Sequence, residues 1–288
     1  MAQNFLKPIT ACLGQPVAEN PTQVMIEAAY GQLGVDWRYI TLEVAPENLA
    51  DAVKGARAMG FAGFNCTIPH KVAVIDHLDG LGESASVIQA VNCVVRRGDQ
   101  LIGENTDGKG FLEGVKKRRD PSGQHVVMLG AGGAARAIAV ELALAGIRKL
   151  TIVNRSAERG LGLLNLLENA QLPLEVELVV LDGNYTVPSD ADIVINATSI
   201  GLFPDVDARL PIDLSEIAST TLVADVVFNP AKTHLIKDAR AIGCETIDGL
   251  EMLVGQGVIG VEYWCGQTPD PDIMRRSLEE VFGIASGD

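Results

Sequence analysis

Aromatic residues make up only 5% of this 288-residue chain, so its core has to be built from Val, Ile, Leu and Ala rather than from stacked rings. Positive charge is also scarce. Lys and Arg number 23 against 37 Asp and Glu, a formal net charge of −14. That excludes the broad basic face by which a protein displaces counterions from nucleic acid, and it disfavours docking on an anionic membrane. It leaves room for an anionic small molecule, because one local pocket can be positive on an acidic protein. No apolar run approaches the ~18 residues of a membrane span. The opening MAQNFLKPITACLG has no basic stretch leading into an apolar one, so no signal peptide is expected. The five cysteines (Cys12, Cys66, Cys93, Cys244, Cys265) are scattered and form no CxxC pair, and the four histidines show no ligand spacing. Buried thiols in a reducing cytoplasm, with no structural metal, are the expectation. Low-complexity stretches, blocks of like charge and short-period repeats are absent too.

What is present is an alternation of short aliphatic strands with amphipathic helices. With 47% hydrophobic and 21% charged residues the chain can fill one large or two ordinary domains. Strands are expected at Ile9–Leu13, Trp37–Val44, Ala62–Cys66, Ala90–Val95, Leu101–Asn105, His125–Leu129, Leu150–Val153, Val176–Leu181, Asp192–Ala197, Leu222–Val227 and Cys244–Ile247, with helices between them. From His125 on that spacing reads as βαβ units and a parallel sheet, and the chain as a whole as the α/β class. The polar breaker KKRRDPSG (Lys116–Gly123), which ends a helix expected from about Thr106 to Lys117, reads as a domain junction. The expected organisation is a substrate-binding domain over residues 1–110, completed by two helices in 251–288, and a Rossmann-type dinucleotide-binding domain over 111–250. The active site is expected in the cleft between them.

The strongest local motif is Gly130-Ala131-Gly132-Gly133-Ala134-Ala135, which follows strand His125–Leu129 and opens a helix. In this GxGxxA pattern the first glycine makes the tight turn and the second admits a pyrophosphate against the backbone. Ala135 lets helix and strand pack closely. The helix N-terminus supplies the positive end of a dipole. The next strand ends in Asn154-Arg155-Ser156-Ala157-Glu158-Arg159, where an NAD enzyme usually places an acid for the ribose 2′-hydroxyl. Arg155 and Arg159 suit a 2′-phosphate instead. NADP is therefore read over NAD, with Glu158 the dissenting residue. Two polar strand-to-helix turns also stand out, Asn65-Cys66-Thr67-Ile68-Pro69-His70-Lys71 and Glu104-Asn105-Thr106-Asp107-Gly108, at the sheet edge where ligands gather in open α/β folds. A surface lysine and a capping aspartate are the plain alternative.

TIPHK, AVN, ENTDGKGF, GAGGAAR, NRSAER, INATSIG and DGLEMLVGQG occur together in the order and approximate spacing of the shikimate/quinate dehydrogenase family, which this chain resembles from about Leu13 to Gly266. The resemblance implies hydride transfer between NADP(H) and the 3-hydroxyl or 3-ketone of a shikimate-type ring carboxylate, with NAD use, quinate and aminoshikimate as alternatives. It implies that Lys71 shuttles the proton, with Asp107 as its partner. Thr67, Asn92 and Gln256 match substrate contacts. Gly130–Ala134, Asn154, Arg155, Ser156, Arg159, Thr198, Val226 and Gly249 match cofactor contacts. Departures fall where the family grips the substrate carboxylate. Its serine pair reads Asn20-Pro21-Thr22 here, preceded by Glu19, where Thr22 keeps a hydroxyl and Asn20 a donor, and its tyrosine near position 228 is Phe228, which cannot donate. A hydrogen bond to a charged group is worth ~1.5–3 kcal/mol, so loss of one or two lowers kcat/KM for an ordinary family substrate roughly 10- to 10⁴-fold. The chain thus reads as a divergent member with a retuned carboxylate end. It is expected to be cytoplasmic, monomeric or a homodimer, with a small-molecule ring carboxylate as partner. A catalytically weak dinucleotide-binding regulator is the alternative of another class.

Overall fold

The computed structural model describes residues 5–284; the first four and last four residues, which fall in the MAQN opening and the 251–288 segment read above, lie outside the described residues. In chain order the strands are β1 (Ile9–Gly14), β2 (Arg38–Glu43), β3 (Gly63–Cys66), β4 (Gly80–Leu81), β5 (Cys93–Arg97), β6 (Gln100–Glu104), β7 (His125–Leu129), β8 (Lys149–Asn154), β9 (Glu175–Val180), β10 (Tyr185–Thr186), β11 (Ile193–Asn196), β12 (Ile212–Asp213), β13 (Leu222–Asp225) and β14 (Thr246–Ile247). The helices are α1 (Thr22–Leu33), α2 (Leu49–Ala58), α3 (His70–Ala73), α4 (Glu83–Ile88), α5 (Thr106–Lys116), α6 (Gly133–Leu144), α7 (Ala157–Asn169), α8 (His234–Ile242), α9 (Gly249–Cys265) and α10 (Pro271–Phe282). The chain forms two compact units, residues 1–106 with 256–288 and residues 107–255. Both division points fall inside helices, α5 and α9.

The first unit holds a six-stranded sheet in the order β2-β1-β3-β5-β6-β4. β1 runs parallel to β2 and β3, whereas β5 is antiparallel to β3 and β6. The sheet is therefore mixed rather than purely parallel, because the tight Gly98 turn joins β5 to β6 as a hairpin. Its core is mainly aliphatic, with Leu13, Leu49, Val53, Val74, Val94 and Leu101 packed around two buried rings, Phe61 and Phe64. Trp264 of α9 closes it. The indole lies 6.0 Å from the Tyr39 ring and donates Nε1–H to the Val94 carbonyl at 3.0 Å. α10 starts at Asp270, whose side chain accepts the Asp272 N–H, with Pro271 at the first turn where a missing donor costs nothing. It buries Met274 and Leu278, one helical turn apart, and packs against α1.

The second unit holds six parallel strands in the order β14-β13-β11-β7-β8-β9. Counted from β7, that is the 3-2-1-4-5-6 order of a doubly wound dinucleotide fold. β7 and β11 are buried along their whole length, which is why they read as unbroken apolar runs rather than alternating ones. α6 is Ala-rich and buries eight residues, Ala135 and Ala137–Ala143. Small side chains let its backbone approach neighbours: a Cβ on Gly108 of α5 would meet the Ala137 carbonyl oxygen at 2.2 Å. A parallel pair of two-residue strands, β10 and β12, stands apart from the main sheet.

Candidate active site

The cofactor end is built where β7 turns into α6. Gly130 has φ +109°, and a Cβ there would lie 2.8 Å from the Ala197 carbonyl oxygen, so only glycine fits. Gly132 caps α6 without any side-chain bond, and nothing lies within 4 Å of a Cβ placed on Gly132 or Gly133. The first turn of α6 carries no acid. A helix start with no side-chain cap, no acid and room beside its glycines is an arrangement that suits an anion.

Beside this turn lies a cavity of about 400 Å³. Gly130, Ala131, Gly132, Asn154, Arg155, Ser156, Arg159 and Thr198 all line it, as do Ser199, Ile200, Leu210 and Pro211. Arg155 and Arg159 are the only charged residues in that lining, and no carboxylate contributes to it. Glu158, the residue that argued for NAD, is not part of the wall. Both arginines are exposed, and neither has an ion-pair partner among the described residues. The turn that presents them is braced locally. Asn154 Nδ2 donates to the Ser156 carbonyl at 2.7 Å, and Ser156 Oγ caps α7 by accepting the Arg159 N–H at 3.3 Å. Gly133, Ala134, Val226 and Gly249 lie outside the lining. Gly249 serves packing: its Cβ would sit 2.3 Å from the Val227 backbone.

A buried polar chain stands behind the cavity wall. Thr198 Oγ1 donates to Asn196 Oδ1 at 2.7 Å, and Asn196 Nδ2 donates to Asp225 Oδ1 at 2.9 Å. Asp225 also accepts the Val227 N–H at 2.9 Å and the Thr233 hydroxyl at 2.7 Å. Burial raises its carboxyl to about 6, against the opposing pull of the three bonds.

In the first unit, the segment from Thr67 to Lys71 is bolted down through its backbone. Thr67 N donates to the Leu13 carbonyl, Gln15 N to that of Ile68, and Val91 N to that of Lys71. His70, 1% exposed, places Nε2 2.7 Å from the Val44 carbonyl oxygen. The Lys71 side chain is half-buried, and its charge opposes the rise that burial imposes on the Cys12 thiol, which stands at about 11. Asn65 links two elements: it accepts from Tyr39 Oη at 2.7 Å and donates to the Asn92 carbonyl at 2.9 Å. Asn92 in turn accepts the Thr106 N–H at 2.7 Å and so caps the start of α5, where Asp107 is the next residue. Gln256 is buried on α9, and Phe228 is half-buried after β13.

The departures read in the sequence have local consequences. Asn20 Oδ1 accepts the Thr22 N–H at 2.9 Å, so it braces the start of α1, and its Nδ2 lies 4.0 Å from Cys12 Sγ. Thr22 is buried and Glu19 exposed. Sequence reasoning missed Asn196, Asp225, Tyr39, Leu210 and Pro211. Asp225 was detectable as an acid closing the otherwise apolar strand LVAD. Leu210 and Pro211 gave no signal, because they reach the wall from an irregular segment.

A doubly wound sheet whose glycine turn opens on an arginine-lined, carboxylate-free cavity defines a nucleotide-dependent oxidoreductase of the two-unit α/β class. Family models place it further. The shikimate dehydrogenase substrate binding domain matches residues 12–94, the shikimate / quinate 5-dehydrogenase model 114–203, and the shikimate 5′-dehydrogenase C-terminal domain 249–279. The chain belongs to the shikimate dehydrogenase family. It is 39% identical to the shikimate dehydrogenase (NADP(+)) of Bacillus licheniformis, over 96% of this chain and 99% of that one. Among solved structures it resembles the ligand-free 5-ketofructose reductase of Gluconobacter sp. strain CHM43, with 52% identity, TM-score 0.93 and coverage of 96% and 100%. It also resembles the shikimate 5-dehydrogenase of Thermus thermophilus in complex with NADP(H) and shikimate, at 32% identity, TM-score 0.81 and coverage of 95% and 99%. No helix among the described residues is long and apolar enough to cross a membrane.

Proposed function

We propose that this chain is an NADP(H)-dependent oxidoreductase of the shikimate dehydrogenase type, acting between shikimate and 3-dehydroshikimate as its curated relatives are named to do. The observation that carries the cofactor reading is the cavity whose charged wall consists of Arg155 and Arg159 alone. Bound there, NADPH supplies a hydride to a carbonyl carbon, and NADP accepts one from the corresponding carbinol. The chain's own residues do the rest. The α6 N-terminus and Gly132 receive the pyrophosphate, and the two arginines receive the 2′-phosphate. Lys71 delivers the proton to the substrate oxygen in reduction and takes it in oxidation, with Asp107 hydrogen-bonded to the same hydroxyl. Asn92, Thr67 and Gln256 orient the ring hydroxyls.

A second reading of the substrate is favoured by two observations together. The 52%-identical structure is that of a 5-ketofructose reductase, and Asn20, Thr22 and Phe228 replace the groups with which the family holds a carboxylate. An uncharged polyhydroxylated ketone such as 5-ketofructose needs no carboxylate grip. Both readings share the cofactor, Lys71 and Asp107; they differ at residues 20, 22 and 228. Initial rates at 340 nm separate them, with shikimate, quinate and aminoshikimate plus NADP, and with 3-dehydroshikimate and 5-ketofructose plus NADPH. Preference for the shikimate pair supports the first reading. Preference for 5-ketofructose by a factor of roughly 10 to 10⁴ supports the second. Absence of turnover with all five, while NADPH still binds, overturns both in favour of a binding module.

A further inference from the structure

Thr198 is the one side chain of the cofactor cavity wall tied into the buried interior of the second unit by a continuous series of side-chain bonds. Its hydroxyl and its N–H both go to Asn196 Oδ1, at 2.7 and 3.0 Å. The Asn196 amide then donates to Asp225 Oδ1, and the same oxygen takes the Val227 N–H. Asn196 and Asp225 are 0% and 1% exposed, so none of these groups exchanges partners with water. The backbone adds a parallel tie, because Val226 N donates to the Asn196 carbonyl at 3.0 Å. One carboxylate therefore holds two things at once: the wall residue Thr198, through Asn196, and the chain leaving β13 toward Phe228. The remaining oxygen, Oδ2, accepts the hydroxyl of Thr233, which caps α8.

A buried aspartate without a cationic partner is costly in a fold that needs only packing. The groups facing it are Asn196 from β11, Val227 N–H from its own strand exit and Thr233 from α8, and no charged side chain enters its balance. His234, next on α8, places its ring nitrogen 3.9 Å from Asp207. A hydrophobic residue would serve the packing better, so the retained carboxylate calls for another role. Its geometry supplies one. Only an ionised carboxylate accepts all three donors simultaneously, since a protonated acid or an amide has to turn one oxygen position into a donor.

We propose that Asp225 is a positioning residue for the nicotinamide cofactor, acting through Asn196 to set Thr198 in the cavity wall and through Val227 to set the strand exit before Phe228. This rests on the reading of the arginine-lined cavity as the dinucleotide site. It touches neither cofactor nor substrate; it holds two segments in the register that the cofactor requires.

The test is direct binding of NADPH to the full chain, followed by nucleotide fluorescence, so it does not depend on which substrate is used. Asp225→Asn and Asn196→Ala are each expected to weaken NADPH about 10- to 150-fold, the worth of one hydrogen bond to a charged group. The double variant is expected to match the weaker-binding single one, because both cut the same series. Thr233→Val removes only the Oδ2 partner; it should lower the melting temperature and leave NADPH affinity within about threefold. Wild type should show an inflection in NADPH affinity near pH 6 that Asp225→Asn lacks, over and above titration of the nucleotide phosphate common to both. Circular dichroism establishes that each variant is folded, and Asn196→Ala carries the test should Asp225→Asn not fold. If wild type does not bind NADPH, the dinucleotide reading fails. If wild type binds and the Asp225 and Asn196 variants bind equally well, or if Thr233→Val weakens binding as much as they do, the positioning role of Asp225 is overturned.

Discussion

Replacement of both Arg155 and Arg159 by alanine is expected to convert an NADP-preferring protein into one that scarcely distinguishes NADP from NAD. The two guanidinium groups are the only charges in the lining of the cofactor cavity. A hydrogen bond to a charged group contributes ~1.5–3 kcal/mol. Both arginines are exposed, and exposure reduces an ion pair to well under that, so a discounted ~1–2 kcal/mol each is the reasonable figure. At about 1.4 kcal/mol per decade, each single variant lowers affinity for NADPH about five- to thirtyfold. The two contributions share one phosphate and so add imperfectly; about 30- to 900-fold is the ceiling for the pair, and a loss of roughly 10- to 300-fold is expected. NADH lacks the 2′-phosphate and should bind with unchanged affinity. Raising ionic strength should erode wild-type NADPH affinity and leave the double variant nearly insensitive, because the lost term is a screened one. The assay is a fluorescence titration with NADPH and NADH in parallel at two salt concentrations. A double variant that loses NADPH and NADH equally, or keeps its preference, would refute the assignment of these arginines to the 2′-phosphate.

Three further outcomes follow from the geometry. Restoring the family's side chains at the substrate end, by Asn20→Ser together with Phe228→Tyr, should raise kcat/KM for shikimate about tenfold or more through the donor regained at residue 228, without changing the KM for NADPH; steady-state rates with both substrates check it, and a flat response removes residues 20 and 228 from the carboxylate grip. Asp225 has a folded-state value raised from 3.8 to about 6, so its contribution to stability is present below pH 4 and lost as pH rises through 6. Relative to Asp225→Asn, wild type should lose up to about 3 kcal/mol across that window, of which about 2 kcal/mol falls between pH 4.5 and pH 7.5, measured by urea unfolding of both proteins at those two pH values; a constant difference contradicts it. Trp264→Ala removes the ring that packs on Tyr39 and the bond to Val94, and should destabilise the chain by about 3–5 kcal/mol in chemical denaturation, whereas Trp264→Phe, which loses mainly the bond, should cost far less.

The residues that announced the fold were those whose local preference and tertiary role coincide. The βαβ period from His125 to Ile247 was legible because its central strands β7, β11 and β13 are buried throughout and so read as continuous apolar runs, and the structure places strands at each expected position. The glycine turn was legible because strain and close approach leave no alternative at Gly130. Short elements were not. α4 (Glu83–Ile88) has six residues and too little periodicity to stand out, and the paired β10 and β12 contribute two residues each. The antiparallel run of β5 had no sequence signal, because alternation does not encode strand direction. At the site, arginines and glycines declare themselves by type and spacing. Asp225 and Asn196 do not, since their meaning lies in which buried groups they meet across strands, and nothing in the sequence shows that the Asn20 oxygen accepts the Thr22 N–H.

The central claim is hydride transfer with NADP(H), with Lys71 handling the proton. It is tested most directly by following NADPH oxidation at 340 nm with 3-dehydroshikimate and with 5-ketofructose, in wild type and in Lys71→Met. Wild type should oxidise NADPH with at least one of the two. Lys71→Met should bind NADPH with unaltered affinity and turn over about 10³-fold more slowly, in the range that general acid–base catalysis contributes. A wild type that binds NADPH but reduces neither ketone, or a Lys71→Met variant as fast as wild type, would contradict it.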